Sequence, residues 1–344
     1  RASIALANGA NFVLLGPKAT MLKSKKPVIA ITAVRTGAGK SSVSRKVCKI
    51  LQKYGKKFVV IRHPMAYGDL KKQICQRFEK LEDLDKYECT IEEREEYEPF
   101  LNMGIVVYAG VDYKKILKEA EKEAEIIVWD GGNNDFPFIK PDLHIVVTDA
   151  TRVGHEIKYH PGETNLRMAD VIIINKIKSS KLRDVKTIEN NVKVVNPKAK
   201  IIYADLYITL EKPIRGKRVL AIEDGPTLTH GELKFGAAYL AAKKFGCKIV
   251  DPRKYAVGSI KEAYKNYKHI GKVLPALGYS KKQIEELQET INKAKCDLVV
   301  VGTPIDLGRF IKINKPYVRV KYELKEVGKG NLEKIISEWL SNFT

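Results

Sequence analysis

The sequence has few cysteines and no long apolar run. Its five cysteines lie far apart, in an odd number and without a Cys-x-x-Cys pair. This pattern argues against a disulfide framework or a zinc site and favours a reducing compartment. No stretch approaches the roughly 20 consecutive apolar residues that a membrane-spanning helix requires. We therefore predict a cytoplasmic protein without a membrane span.

Acidic residues are too few to balance the basic ones. The 41 Asp and Glu stand against 62 Lys and Arg, which leaves a formal net charge of +21. Such an excess attracts polyanions. The basic residues are spread along the chain rather than gathered with aromatics in an RNA-binding motif, so a nucleic-acid partner is not favoured. Either a Lys- and Glu-rich surface suited to heat or a cleft for a phosphorylated small acid explains the charge.

The first residue is Arg1 rather than Met, and residues 1–16 predict a helix, a turn and a strand. No signal peptide explains this start. We expect residues 1–26 to be the tail of an upstream domain plus a linker. We assign 27–210 to a nucleotide-binding domain and 211–344 to a C-terminal α/β region, which either continues the same sheet or forms a smaller lobe. The oligomeric state is left open, a homo-oligomer included.

Apolar runs that read as buried strands alternate with helical stretches along most of the chain. This alternation predicts an α/β fold, a doubly wound and mostly parallel sheet of the P-loop NTPase type. An acidic stretch over 79–98 interrupts the pattern, and we interpret it as a solvated helix and loop. The predicted strands cover 28–34, 57–61, 105–108, 126–129, 144–148, 171–175, 218–222, 298–302 and 317–322.

A glycine-rich loop between the first strand and a helical segment predicts a phosphate site. Glycines let backbone N–H groups approach phosphate oxygens, and the next helix contributes its N-terminal dipole. Lys40 would reach the β and γ phosphates of ATP or GTP, and the Ser41 hydroxyl would bind Mg²⁺. Val34 replaces the first glycine of the usual motif, and Arg35 either contacts a phosphate or faces solvent. The predicted nucleotide-binding residues of this loop are Arg35, Thr36, Gly37, Ala38, Gly39, Lys40, Ser41 and Ser42.

Two later strand ends carry further candidates. Asp130 follows an apolar strand and precedes two glycines, as a carboxylate that binds Mg²⁺ does. Asn175 and Lys176 resemble the base-reading Asn-Lys-x-Asp element of GTPases, but Lys178 stands where the Asp belongs. Preference for GTP is therefore in doubt, and ATP remains open. In each case the alternative is a structural turn.

Basic residues and histidines also follow predicted strands. Arg62, Arg152 and His160, together with Arg35, would converge on an anionic substrate at the carboxyl edge of the sheet. His144 lies within a strand and is interpreted as structural.

Six segments together resemble the archaeal and bacterial proteins described as predicted GTPases similar to cyclic 2,3-diphosphoglycerate synthetase. In that family a further domain precedes the P-loop. For synthetase members the resemblance implies ATP-dependent closure of 2,3-diphosphoglycerate into an intramolecular phosphoanhydride, with Mg²⁺. The segments are 34–42 (VRTGAGKSS), 62–70 (RHPMAYGDL), 129–135 (WDGGNND), 160–165 (HPGETN), 174–176 (INK) and 223–232 (EDGPTLTHGE).

Two functions follow as expectations. The first is a phosphoryl-transfer enzyme acting on a phosphorylated small acid, with Lys40, Asp130, Arg152 and His160 as catalytic residues and with Ser41 and Asp130 binding Mg²⁺. The second is a GTP-hydrolysing switch or chaperone-like module for a protein or metal-delivery partner, in which the loop from Gly131 to Asp135 reorders with the γ-phosphate.

Overall fold

A computed structural model describes residues 2–63, 65, 68–132, 135–278, 280–328 and 330–343. These residues form thirteen strands joined in one sheet. The strands are β1 Val28–Ala33, β2 Phe58–Arg62, β3 Gln76–Phe78, β4 Val107–Ala109, β5 Ile126–Asp130, β6 Leu143–Asp149, β7 Val171–Asn175, β8 Lys200–Leu210, β9 Arg218–Asp224, β10 Lys248–Ile249, β11 Leu274–Ala276, β12 Leu298–Val301 and β13 Tyr317–Val327.

The α-helices range from one turn to four turns. They are α1 Ala2–Ala7, α2 Pro17–Thr20, α3 Lys40–Lys53, α4 Glu82–Lys86, α5 Ile91–Leu101, α6 Tyr113–Glu123, α7 Gly162–Met168, α8 Leu182–Val195, α9 Gly225–Thr229, α10 Ala237–Lys244, α11 Gly258–Asn266, α12 Lys281–Lys293 and α13 Leu332–Leu340. Within the part of the chain that is described, no helix is long and apolar enough to cross a membrane.

The strands lie in the order β10-β9-β12-β13-β8-β7-β6-β1-β5-β2-β4-β3, and β11 also pairs with β9. Strands β1 to β8 make up a first lobe, in which only β3 is antiparallel to its neighbour among the described strands. Its central strands are buried on both faces, as continuous Val and Ile runs require. The predicted doubly wound, mostly parallel sheet is therefore confirmed.

The second lobe contains β9 to β12, which run parallel to β13 or to one another. It joins the first lobe through a long antiparallel ladder between β8 and β13, from Leu210 opposite Val320 to Tyr203 opposite Val327. Alternating half-buried positions in β8 and β13 are typical of such a ribbon. After β13 the chain returns to the first lobe, where α13 packs its Ile336 and Trp339 into that core.

The strand predicted at 11–16 is absent. Residues 10–16 have no regular secondary structure, and the apolar side chains of Phe12, Val13, Leu14 and Leu15 are exposed. Because none of the described strands pairs with this segment, it forms no backbone hydrogen bonds of a sheet with them.

The acidic stretch over 79–98 is a solvated helix and loop only in its first part, where residues such as Glu79, Glu82 and Glu88 are exposed, and the interpretation was wrong for α5. Glu93, Arg94, Glu95 and Glu98 on α5 are all buried. Helix α5 begins with a capping box at Thr90 and lies between the two lobes. Ile91 at its start belongs to the core of the second lobe, while Phe100 near its end belongs to the core of the first. Its carboxylates are buried because both lobes cover them.

Candidate functional site

The phosphate loop joins β1 to α3. Gly37 and Gly39 have positive φ values of 78° and 103°, a conformation that glycine adopts without strain. A Cβ atom on Gly39 would lie 2.2 Å from Asn175 Nδ2. The loop therefore requires glycine at position 39 both for its backbone conformation and for its close approach to Asn175.

The side chain of Lys40 lies at the start of α3 and is bound to the end of β5. Its Nζ donates a hydrogen bond of 2.7 Å to Asp130 Oδ1, and the hydroxyl of Ser44 donates a second, of 2.5 Å, to the same oxygen. Asp130 is fully buried and Lys40 nearly so. Parallel register places Asp130 opposite Ile31 of β1, which brings the two strand ends together.

Arg62 completes this buried cluster. Its Nη1 donates hydrogen bonds of 2.9 and 2.5 Å to the carbonyls of Asp130 and Gly131, and it forms an ion pair with Glu96 of α5. Burial alone would raise the pKa of Asp130, but the charges of Lys40 and Arg62 outweigh that effect and hold it below its ordinary value. Asp130 is therefore an anion. Arg62, which sequence reasoning placed in an anion-binding cleft, is instead engaged with carboxylates.

A second charged group holds the phosphate loop from the other side. The Arg152 guanidinium pairs with Asp149 at 2.9 Å and donates to the carbonyls of Thr36 and Gly231 at 2.7 and 2.8 Å. Lys176 Nζ donates to the Gly37 carbonyl at 2.6 Å and to Asp149 at 2.8 Å. The charges of Lys176 and Arg152 overcome the effect of burial and lower the pKa of Asp149.

Asn175 reaches the same loop, because its Nδ2 donates a 2.8 Å hydrogen bond to the carbonyl of Ala38. Its Oδ1 is buried without a hydrogen-bond partner among the described residues. Asn175, Lys176 and Arg152 thus bind the backbone of the loop. Their predicted contacts with a nucleotide or a substrate stay predictions.

The second lobe packs against the phosphate loop, and the boundary between the two lobes is called the cleft. Thr227 of α9 and Leu233 would lie 3.6 and 3.2 Å from a Cβ atom on Gly37. Arg35 forms an ion pair of 3.2 Å with Glu232, and its guanidinium lies 4.1 Å from the ring centre of Tyr159. Residues 227–233 therefore enclose the phosphate loop that the sequence predicts. In the sequence, the only sign of their part in the site is the segment 223–232, which belongs to the family resemblance.

Two carboxylates meet at the base of this cleft. Glu95 of α5 contacts Asp224, which ends β9 and caps α9 through Thr227. Burial, then the facing Asp224, raises the pKa of Glu95 well above its ordinary value, and burial raises that of Asp224 as well. Burial and the mutual repulsion of the two carboxylates therefore favour the protonated form of this pair. Sequence reasoning missed Glu95, because four nearby glutamates on one helix gave no signal that distinguished it.

The histidines are distributed unevenly. His63 Nδ1 lies 2.6 Å from Asp135 Oδ2, beside the Gly131–Gly132 turn that follows Asp130. His160 is exposed and has a 3.4 Å contact with Thr164, without an ion pair among the described residues. His144 bonds Thr32 in the core, and burial lowers its pKa to about 4, which agrees with a structural role.

The residues available for Mg²⁺ are oxygen donors. The described residues contain no group of three or more His, Cys, Asp or Glu that could hold a metal ion on its own. Ser41 is half-buried, and Asp130 Oδ2 accepts no hydrogen bond from the described residues. A hydroxyl and a carboxylate fit Mg²⁺, which takes most of its remaining ligands from water and phosphate. Asn133 and Asn134 of the proposed switch loop lie outside the described residues.

Comparisons with known proteins agree with this geometry. The family model described as "Cyclic 2,3-diphosphoglycerate synthetase, P-loop domain" matches residues 103–204. "Arginine synthetase ArcE" of Thermococcus kodakarensis is 64% identical over 344 residues, which cover 99% of this chain and 77% of that protein. "Cyclic 2,3-diphosphoglycerate synthetase" of Thermococcus sibiricus is 26% identical over 63% of this chain and 54% of its own length.

Among solved structures, LpxK from Aquifex aeolicus, determined in complex with ATP, matches with a TM-score of 0.50. The match covers 98% of this chain and 93% of that one at 15% identity. At this identity the likeness shows a shared P-loop NTPase fold and nothing about substrate.

Proposed function

The chain belongs to the family of P-loop synthetases that includes the cyclic 2,3-diphosphoglycerate synthetases and arginine synthetase ArcE, and on that premise we propose that it transfers the γ-phosphoryl group of ATP to an oxygen of a second substrate and so activates it for bond formation. What carries the proposal is the Lys40–Asp130 contact at the phosphate loop, in a cleft that the second lobe encloses.

The contact supports a simple sequence for nucleotide binding. When the triphosphate enters, Lys40 turns from Asp130 to the β and γ phosphates, and Asp130 keeps Arg62 and Ser44 as partners. Ser41 and Asp130 would hold Mg²⁺, which neutralises charge on the phosphates. Arg152 and Lys176 keep the backbone of the loop in place by their hydrogen bonds to Thr36 and Gly37.

We propose a ureido amino acid as the phosphoryl acceptor. The relative at 64% identity is named for arginine, and forming the guanidinium group requires a new C–N bond at a carbon with a leaving group. Transfer of the γ-phosphoryl group to the ureido oxygen supplies that group and releases ADP. Ammonia then adds to the carbon, the carbon–oxygen bond breaks, and phosphate leaves with that oxygen and with the surplus proton.

The site contains a candidate for the proton transfer in the second step. His63 is partly exposed, and Asp135 orients its ring by accepting from Nδ1. A histidine oriented by a carboxylate is a common general base. We propose that the other ring nitrogen, Nε2, takes the proton that ammonia loses as the C–N bond forms and passes it to the departing phosphate.

The alternative acceptor is 2,3-diphosphoglycerate, which the names of the more distant relatives favour. Such a substrate carries about five negative charges at neutral pH. In the described site, Arg62 and Arg152 are already engaged by Glu96 and Asp149, and Arg35 by Glu232. The Glu95–Asp224 pair adds further acidic groups near the phosphate loop. These contacts support the ureido acceptor, and no finding supports a GTP-driven switch.

The test measures ATP and GTP consumption with three additions: a ureido amino acid plus ammonium, 2,3-diphosphoglycerate, or neither. Arginine is detected by mass spectrometry. We expect arginine only with ATP, the ureido acid and ammonium. Lys40→Ala should lower the rate by about 10²- to 10³-fold, whereas Lys49→Ala, an exposed lysine of the same helix, should not. Stimulation by 2,3-diphosphoglycerate alone would replace the proposed acceptor.

A further inference from the structure

The Glu95–Asp224 pair is unlike the other buried carboxylates of the cleft. Among the described residues, no Lys or Arg forms an ion pair with either side chain. Glu95 is only 6% exposed, and its Oε1 receives no hydrogen bond from any described donor. An oxygen buried without a donor is costly, because it has lost its water and gained no replacement.

The pair is linked to the phosphate loop through Thr227. Asp224 holds Thr227 by accepting from its backbone N–H and hydroxyl, and Thr227 reaches Gly37 of the phosphate loop. The pair therefore connects the base of the cleft to the loop that binds the triphosphate.

The charged and titratable groups near the pair come from four elements. On β9, Glu223 precedes Asp224, and burial raises the pKa of Glu223 to about 7. Arg45 of α3 donates to Ser42 and lies over the ring of Tyr322. Burial raises the pKa of Tyr322 on β13, and the charges of both carboxylates raise it further. On α5, Glu92 and Glu96 add further negative potential at Glu95. The local balance is thus negative, in a protein whose overall charge is +21.

We propose that Glu95 and Asp224 bind the guanidinium group of the product, an assignment that rests on the proposed function and deepens it. Two facing carboxylates match the planar fork of N–H donors that a guanidinium presents. The group forms from the ureido carbon, which must lie near the phosphate loop when it accepts the phosphoryl group. A neutral ureido substrate would leave the pair protonated, and the cationic product would displace its proton.

The proton gives the proposal a signature independent of catalysis. L-Arginine is titrated calorimetrically into the protein with ADP present, in buffers of different ionisation enthalpy and between about pH 6 and pH 8. We expect binding to release a proton and to tighten as pH rises, because the empty pair holds that proton. L-Citrulline, which has the same α-ammonium and carboxylate groups but no guanidinium, should bind without proton release.

Substitutions test whether Glu95 and Asp224 are the groups that release the proton. Glu95→Gln should weaken L-arginine binding by about 30-fold or more and abolish proton release, with ADP binding retained. Asp224→Asn should act likewise, because asparagine still caps α9. The matched control is Glu98→Gln, on the same helix and equally buried but facing Arg309, which should change neither.

Three outcomes would overturn the assignment: unchanged affinity in Glu95→Gln, equal proton release with citrulline, or no L-arginine binding by the wild-type protein. Because the readout is binding, it is separate from the synthesis assay. A protein that binds L-arginine with proton release but makes no arginine would refute the proposed function and keep this site.

Discussion

Two groups of buried carboxylates meet at the cleft, and they differ in what surrounds them. Asp130 lies between Lys40 and Arg62, and its pKa is lowered. Glu95 and Asp224 face each other without a described cationic partner, and their pKa values are raised. The first group has its cationic partners within the protein, and a nucleotide must compete for its lysine. The second has a buried oxygen that a cationic ligand would satisfy, so the two groups suit ligands of opposite charge.

The largest effect is expected from Asp130→Ala. This change leaves Lys40 and Arg62 buried without their shared carboxylate, and breaking a buried ion pair costs about 3 to 5 kcal/mol. Urea unfolding should show a loss of that size, with synthesis activity undetectable. Asp297→Ala, which breaks the exposed pair with Arg218, serves as control. Similar urea midpoints for both variants would show that the buried cluster contributes no more to stability than the exposed pair does.

His63→Gln should have the next largest effect, on rate alone. Glutamine still reaches Asp135 with a hydrogen bond but cannot accept a proton near neutral pH. We expect kcat to fall by about 10²-fold while KM for ATP is unchanged. A kcat in the variant equal to that of the wild-type protein would exclude His63 as the base.

Stability should depend on pH with opposite sign in the two groups. The lowered pKa of Asp130 contributes stability that is present above the ordinary carboxyl range and is lost as pH falls through the folded value. The raised pKa values of Glu95 and Asp224 contribute stability that is present below that range and is lost as pH rises. The Tm of Glu95→Gln should therefore rise relative to wild type between about pH 4 and pH 8. A constant difference would mean that Glu95 does not titrate in this range.

The smallest effect is expected from Arg309→Gln. Arg309 is partly exposed and 3.9 Å from Glu98, and its contact is one of several between α5 and the second lobe. Partly exposed ion pairs contribute about 1 kcal/mol or less. Urea unfolding should show a loss within that bound. A loss as large as that of Asp130→Ala would identify this contact, rather than the Asp130 cluster, as the main electrostatic support of the cleft.

Most of the first lobe could be predicted from the sequence because short stretches of residues determine its strands and its phosphate loop. The continuous apolar runs of β1, β5, β6 and β7 indicate strands covered on both faces. The glycines and the lysine in the segment from Thr36 to Ser42 predict a phosphate loop without information from the rest of the chain. Strand β8 was missed, because its half-buried alternation depends on pairing with β13, which lies more than 100 residues away.

The site beyond the phosphate loop could not be predicted in the same way. Whether Arg62 binds a substrate or Glu96, and whether Glu95 is solvated or buried, depends on where α5 packs. Its hydrophobic pattern is weak, since acidic residues occupy most positions between Ile91 and Tyr97. These carboxylates are buried because two lobes pack over one helix. A short stretch of sequence does not show which distant residues will cover it.

Helix α5 also determines how the protein can come apart. Its first residue, Ile91, packs against Gly278 so closely that a Cβ atom added to this glycine would lie 2.3 Å from Ile91 Cδ1. At the other end of the helix, Tyr97 and Phe100 fill the core under β2 and β4. Separating the lobes would pull one end of this helix out of an apolar core. We therefore expect the two lobes to unfold as one cooperative unit rather than one after the other.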